Sequence, residues 1–151
     1  MLSLNDFRRF RNLLIAGRRA WLNYSAGTQL HHDTSVSLSA MFVGGYKEAI
    51  TVDEGTLIAF KTLILARDSN GTPRPIKVGK NCFVGGGSVL LPGTTIGDGS
   101  IIAAGAVVSG AIPPRSIVAG NPGRILRSGI ATGRFGRLDG ADENQKRYYI
   151  R

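Results

Sequence analysis

The chain has 151 residues, 42% of them apolar, a length and balance suited to one soluble domain with a modest core. Its single cysteine, Cys82, excludes an intrachain disulfide and a cysteine-rich zinc site, and no run of 18 apolar residues is present to span a bilayer. The net charge of +9 sits at the two ends: residues 1–20 carry five arginines against Asp6, residues 123–151 seven Lys/Arg against three acids, and residues 21–122 seven against six, which argues against a protein-wide nucleic-acid surface.

In chain order, residues 3–24 read as a helix. Phe7, Phe10, Leu14 and Trp21 share one face at helical spacing, and Ser3 with Asp6 resembles a capping box. One reading makes this segment (residues 1–29) a cap over the open end of a repeat domain that begins at Leu30. The other makes it a basic amphipathic helix touching anionic lipid through Arg8, Arg9, Arg11, Arg18 and Arg19. The cap is preferred, because one short helix binds lipid weakly. Leu13-Leu14-Ile15-Ala16 is too short for a signal-peptide core and Arg18-Arg19 come directly after it, so the expected location is the cytoplasm, at most at the inner face of the membrane.

From Leu30 a six-residue period sets in. Leu30 and Val36 open the first units; Val52, Ile58 and Ile64 open the next; Val78, Val84, Leu90, Ile96, Ile102 and Val108 open an unbroken run. In that run a small residue stands four places on, at Cys82, Ser88, Thr94, Ser100 and Ala106. Two breaks interrupt the frame, near Gly44-Gly45-Tyr46-Lys47 and over Asp68–Pro75. A helix would smear positions 0, 6, 12 and 18 over its surface. Three hexads per turn of a three-sided coil would instead stack residues 18 apart, Val78 under Ile96, Val84 under Ile102 and Leu90 under Val108, at the strand spacing of about 4.8 Å. The predicted fold is therefore all-β, a parallel β-helix over residues 30–127. One coil cannot bury its own inner face, so stability comes from stacked neighbours. Cys82, in a small corner place, reads as core packing. Residues 128–151 are Gly-rich and charged with little apolar periodicity, an arm or tail in which Tyr148-Tyr149-Ile150 could dock on a neighbour.

The stretch 76–127, IKVGKNCFVGGGSVLLPGTTIGDGSIIAAGAVVSGAIPPRSIVAGNPGRILR, resembles the C-terminal half of hexapeptide-repeat O-acetyltransferases such as the maltose, galactoside and colanic-acid enzymes. AIPPRSIVAGNPGRILR is its most specific part. The resemblance implies a left-handed coil, an exception to the usual crossover hand. It also implies a homotrimer with sites between subunits, acetyl-CoA as co-substrate, and a sugar or glycan hydroxyl in surface-polysaccharide synthesis as acceptor. Residue by residue it implies CoA contacts at Gly86, Ala104, Ser109, Arg124 and Arg127. Gly85 and Gly105 join them as small residues that let a ligand approach the backbone, and the arginines suit phosphate. No metal is expected, since two adjacent histidines cannot reproduce a three-histidine zinc site.

The family removes the acceptor proton with a histidine. Its slot falls here on Ser69, or on Arg67 in the variant two residues earlier, and neither is histidine. Phe83 stands at the aromatic place of the family's acceptor segment, with Ser69 and Asn70 as the floor of the acceptor site. Three readings stay open. Asp68, helped by Arg67, is the base; or His31 or His32 is, from a hexad about 10 Å along the axis from Pro73; or the chain binds CoA or a partner without transferring an acyl group.

Overall fold

The computed structural model describes residues 4–140. The Ser3–Asp6 capping pair and the docking expected of Tyr148-Tyr149-Ile150 lie outside the described residues. A helix, α1 (Leu4–Ser25), is followed by fourteen short strands of a coil and one returning strand. The first coil holds β1 (Thr28–Leu30), β2 (Ser35–Val36) and β3 (Met41–Val43), the second β4 (Ile50–Val52), β5 (Leu57–Ile58) and β6 (Leu63–Leu65). The third holds β7 (Ile76–Val78), β8 (Phe83–Val84) and β9 (Val89–Leu90), the fourth β10 (Thr95–Ile96), β11 (Ile101–Ile102) and β12 (Val107–Val108). A partial fifth has β13 (Ala111–Ile112) and β14 (Ser116–Ala119), and β15 (Arg124–Ser128) turns back beside β14.

Strands stack into three sheets: β1-β4-β7-β10-β13, β2-β5-β8-β11-β14-β15, and β3-β6-β9-β12. All pairings are parallel except β14 with β15. This is the left-handed parallel β-helix of hexapeptide repeats. The three sheets form, in that order, the first, second and third faces of a prism.

The stacking read from the period holds: Val78 pairs with Ile96, Val84 with Ile102 and Leu90 with Val108. The column Val36–Ile58–Val84–Ile102–Val118 runs the length of the core, each member no more than 1% exposed. Each such side chain contributes roughly 1.5–3 kcal/mol of burial. The corner places are small because the chain must turn between faces there, and their side chains bond neighbouring coils: Cys82 N donates to Thr56 Oγ1 (3.0 Å) and Thr62 Oγ1 to Gly85 O (3.2 Å). Cys82 is buried in the core, and burial pushes its thiol pKa up.

Register exposes where the breaks go. Ser35 pairs with Leu57, twenty-two residues on, and Leu57 with Phe83, twenty-six on, against eighteen between Phe83 and Ile101. The surplus residues leave the coil between the third face and the first. Both breaks therefore build on the same edge of the prism.

The two ends close the solenoid. The C-terminal part of α1 lies on the first coil, burying Leu22, with Arg18 donating to Ala40 O (3.0 Å) and Asn23 Oδ1 accepting from Leu30 N (3.0 Å). The face that meets the coil carries Ile15 and Leu22; Phe10, Leu14 and Trp21, the face read from the sequence, are exposed. The tail also departs from a loose arm. Residues 129–138 form a strap running back along the prism: Ile130 N donates to Arg115 O, Thr132 Oγ1 to Gly99 O, Phe135 N to Gly55 O, and Arg134 forms an ion pair with Asp33. The strap thus visits every coil from the last to the first.

Candidate active-site groove

The edge between the third and first faces is walled by the two breaks. Arg67 clamps them together. Its Nε donates to Gly44 O (2.8 Å) in the first break and its Nη1 to Gly71 O (2.7 Å) in the second. Its guanidinium lies 5.0 Å from the Tyr46 ring centroid, and Tyr46 donates to Ala66 O (3.0 Å). Burial raises the Tyr46 pKa, with the Arg67 charge opposing. Asp68 folds the loop tip: one carboxylate oxygen accepts from Asn70 N (3.0 Å) and Thr72 N (2.9 Å), the other lies 3.6 Å from Arg74 Nε. The Thr72 amide, above all, holds this carboxyl below the usual range.

Beside this wall runs an open groove of about 660 Å³, lined by Leu65, Arg67, Asp68, Ser69, Arg74, Leu91, Pro92 and Ser109. It brings together residues some forty positions apart: Arg67, Asp68 and Ser69 from the acceptor set, and Ser109 from the CoA set. Asn70 stands exposed at the loop tip, outside the lining.

The rest of the CoA set gathers on the next edge, between the second and third faces. Gly85 and Gly86 stack under Ala104 and Gly105, with Gly105 N donating to Gly86 O (3.0 Å). The turn above them, which contains a cis Asn121-Pro122 bond, is held by Val107 N donating to Gly120 O and Gly123 N to Val107 O. Arg124, in register with Ala119, opens from it and is exposed; Arg127 lies farther along β15, opposite Ile117. Open backbone, the reason for reading these glycines as a ligand path, describes only one of the three. A Cβ on Gly85 would sit 2.5 Å from Ala104 N, so that glycine serves coil-on-coil packing. A Cβ on Gly86 would meet the Phe60 ring at 2.6 Å, so Phe60 covers it. Gly105, at φ +71°, has nothing within 4 Å.

Two expectations do not come together in one chain. Phe83 points outward from the second face, where the strap covers it: a Cβ on Gly136 would lie 2.5 Å from Phe83 Cβ. It is away from Ser69 and Asn70. His31 and His32 stand on the third edge, between the first and second faces of the first coil, opposite the third face. Their rings are 4.1 Å apart, and His31 Nδ1 accepts from Asp33 N (3.2 Å). Spacing along the axis could not reveal this, because it says nothing of which edge a hexad reaches. The sequence pattern gave no sign of the parts played by Arg74, Tyr46 and Phe60. For the strap the available sign was Gly129, Gly133 and Gly136 interleaved with Ile130 and Phe135.

Between the two edges, the third face turns outward Met41, Leu63, Val89 and Val107 in one column and Val43, Leu65 and Leu91 in the next. No polar side chain interrupts these columns until Ser109.

Comparison with known proteins agrees with this architecture. Residues 75–110 match the model of the bacterial transferase hexapeptide (six repeats). Galactoside O-acetyltransferase of Escherichia coli (strain K12) is 30% identical over 127 residues, covering 74% of this chain and 62% of that protein. A protein of Staphylococcus aureus (strain MRSA252), named as an acetyltransferase, is 51% identical over 53 residues, 35% of this chain and 27% of its own length. The chain thus spans about a quarter of the staphylococcal relative and under two thirds of the galactoside enzyme. Among solved structures, a hexapeptide-repeat acetyltransferase of Vibrio cholerae superposes with a TM-score of 0.60 over 80% of this chain and 87% of its own, at 23% identity. Galactoside acetyltransferase in complex with coenzyme A gives 0.51 at 27% identity, over 67% of this chain and 58% of its own. By its repeat, its coil and these relatives, the chain belongs to the hexapeptide-repeat acyltransferase family.

Proposed function

We propose that the chain moves an acetyl group from acetyl-CoA to a hydroxyl of a sugar or glycan, as a homotrimer in the cytoplasm, in the synthesis of surface polysaccharide. The observation that carries the reading is the groove in which Arg67, Asp68 and Ser69 meet Ser109. The relative solved with coenzyme A and the galactoside enzyme supply the chemistry. The aliphatic third face supports the trimer. It separates the Gly105–Arg124 edge from the groove, and a second copy packed on it would bring one chain's edge beside the other's groove. CoA would then run along the open backbone at Gly105 with a phosphate on Arg124.

The base is the weak point of the chemistry. Asp68 has both oxygens engaged and a lowered pKa, which makes it a poor proton acceptor. Arg67 is a clamp, and a guanidinium offers donors and no acceptor. His31 and His32 stand on the edge opposite the face on which the second copy packs, so that packing does not carry them to the groove. A second reading, a CoA-binding scaffold without turnover, is favoured by the absence of histidine from the groove lining among the described residues.

Thiol release from acetyl-CoA across a panel of sugars, with calorimetric CoA binding, separates the two. Turnover that accompanies CoA binding supports the enzyme, and product linkage tells O- from N-acetylation. Tight CoA binding without thiol release supports the scaffold. Absence of both would reject either reading. Arg124→Ala is expected to weaken CoA binding several-fold, and an unchanged Kd removes Arg124 from the phosphate site.

A further inference from the structure

Helix α1 has two faces of opposite fate. Ile15, Leu22 and the polar ends of Arg18 and Arg19 turn to the first coil. On the other side Phe10, Leu13, Leu14, Trp21 and Tyr24 are all exposed, from 42% for Leu14 to 92% for Tyr24. At 100° per residue these five fall within an arc of about 100°. Gly17 lies at the middle of the arc with nothing within 4 Å of its would-be Cβ. The stripe is therefore unpartnered within the described residues, and it is the most aromatic surface among them.

Charge selects the occupant. The helix sequence carries five arginines and one acid, Asp6, and the chain as a whole is +9. Arg18 borders the stripe with its guanidinium 5.0 Å from the Trp21 ring centroid. An apolar face holding Trp and Tyr, on a helix with five arginines and a single acid, is the composition of a helix lying in the plane of an anionic bilayer. The helix is not long and apolar enough to cross one. We propose that α1 is a docking helix that lays the Phe10–Tyr24 stripe on an anionic lipid surface while Leu22 holds it to the prism. This is independent of the acyl-transfer reading: it stands on α1 alone.

Trp21 is the only tryptophan in the chain, so its fluorescence reports the contact directly. The full chain is titrated with vesicles of phosphatidylcholine alone and of an equal mixture with phosphatidylglycerol, and co-sedimentation is measured in parallel. Expected are a blue shift and sedimentation with the anionic vesicles, weakened by salt, and little of either with the neutral ones. Phe10→Glu and Leu13→Glu, both at exposed positions, each reduce binding about tenfold or more, with circular dichroism and particle mass unchanged. No shift on anionic vesicles, or equal binding to neutral ones, overturns the proposal. So does a Trp21 already shielded in the absence of lipid, with Leu13→Glu lowering the particle mass; a second copy of the chain would then be what covers the stripe.

Discussion

Two glycines on one edge of the prism are small for different reasons, and exchanging each for alanine separates those reasons. At Gly85 a methyl group would sit 2.5 Å from Ala104 N, 2.7 Å from Ile102 O and 2.8 Å from Ala103 C, all backbone of the next coil. Backbone in a stacked sheet cannot swing aside as a side chain can, so Gly85→Ala forces coils three and four apart and costs about 2–3 kcal/mol, the upper part of the overpacking range. At Gly105 the methyl meets no protein atom, and only the left-handed backbone (φ +71°) is unfavourable, worth about 1 kcal/mol. For a chain of this size that is a fall of about 2–4 °C in Tm, with roughly twice that for Gly85→Ala. Differential scanning calorimetry reads the stability and isothermal titration the CoA affinity. If the co-substrate passes over Gly105, its methyl group weakens CoA binding several-fold despite the small stability loss. Equal Tm losses would refute the packing argument. An unchanged Kd for Gly105→Ala would remove CoA from this edge.

Three further outcomes are expected. Leu90→Ala empties a fully buried place between Ile64 and Val108 and costs about 2–5 kcal/mol by chemical denaturation; a loss below about 1 kcal/mol would mean that the column is not packed as described. Asp68 has a folded pKa below its ordinary 3.8, so its contribution to the Arg67–Pro75 loop is complete above that value and is lost as pH falls through the lowered folded pKa. Amide exchange at Asn70 and Thr72 should stay slow down to that range and quicken below it, whereas Asp68→Ala quickens it at every pH; a change centred near neutrality would contradict this account. Gly136→Ala combines a left-handed φ of +64° with contact on Phe83, and should free the strap while leaving the coil folded, seen as faster exchange at Phe135 N and unaltered exchange at Val84 N.

What the sequence could reveal depended on how local each rule is. A hexad repeats its inward aliphatic and its small corner residue without reference to anything distant, so the columns through Val84 and Leu90 could be read from spacing alone. The edge on which a break emerges depends on counting hexads from the coil's start, a count the period alone did not supply, so the common groove of Ser69 and Ser109 was not read from the sequence. Phe83 failed for a different reason. The strap that covers it arises about fifty residues later and has no period. The helix shows the same limit. Its strongest apolar face was legible, yet which face meets the prism is decided by Leu22 fitting the open coil, a matter of shape that hydrophobic spacing does not encode.

The Asp33–Arg134 ion pair ties the bottom of the molecule to a segment that leaves from its top. A solenoid ordinarily gains or loses a repeat at small cost, because only nearest neighbours notice. Here each added layer would raise the roof by about 4.8 Å and leave the tether short by that amount. Duplication of a repeat would therefore part Asp33 from Arg134 unless the C-terminal cord lengthened in the same step.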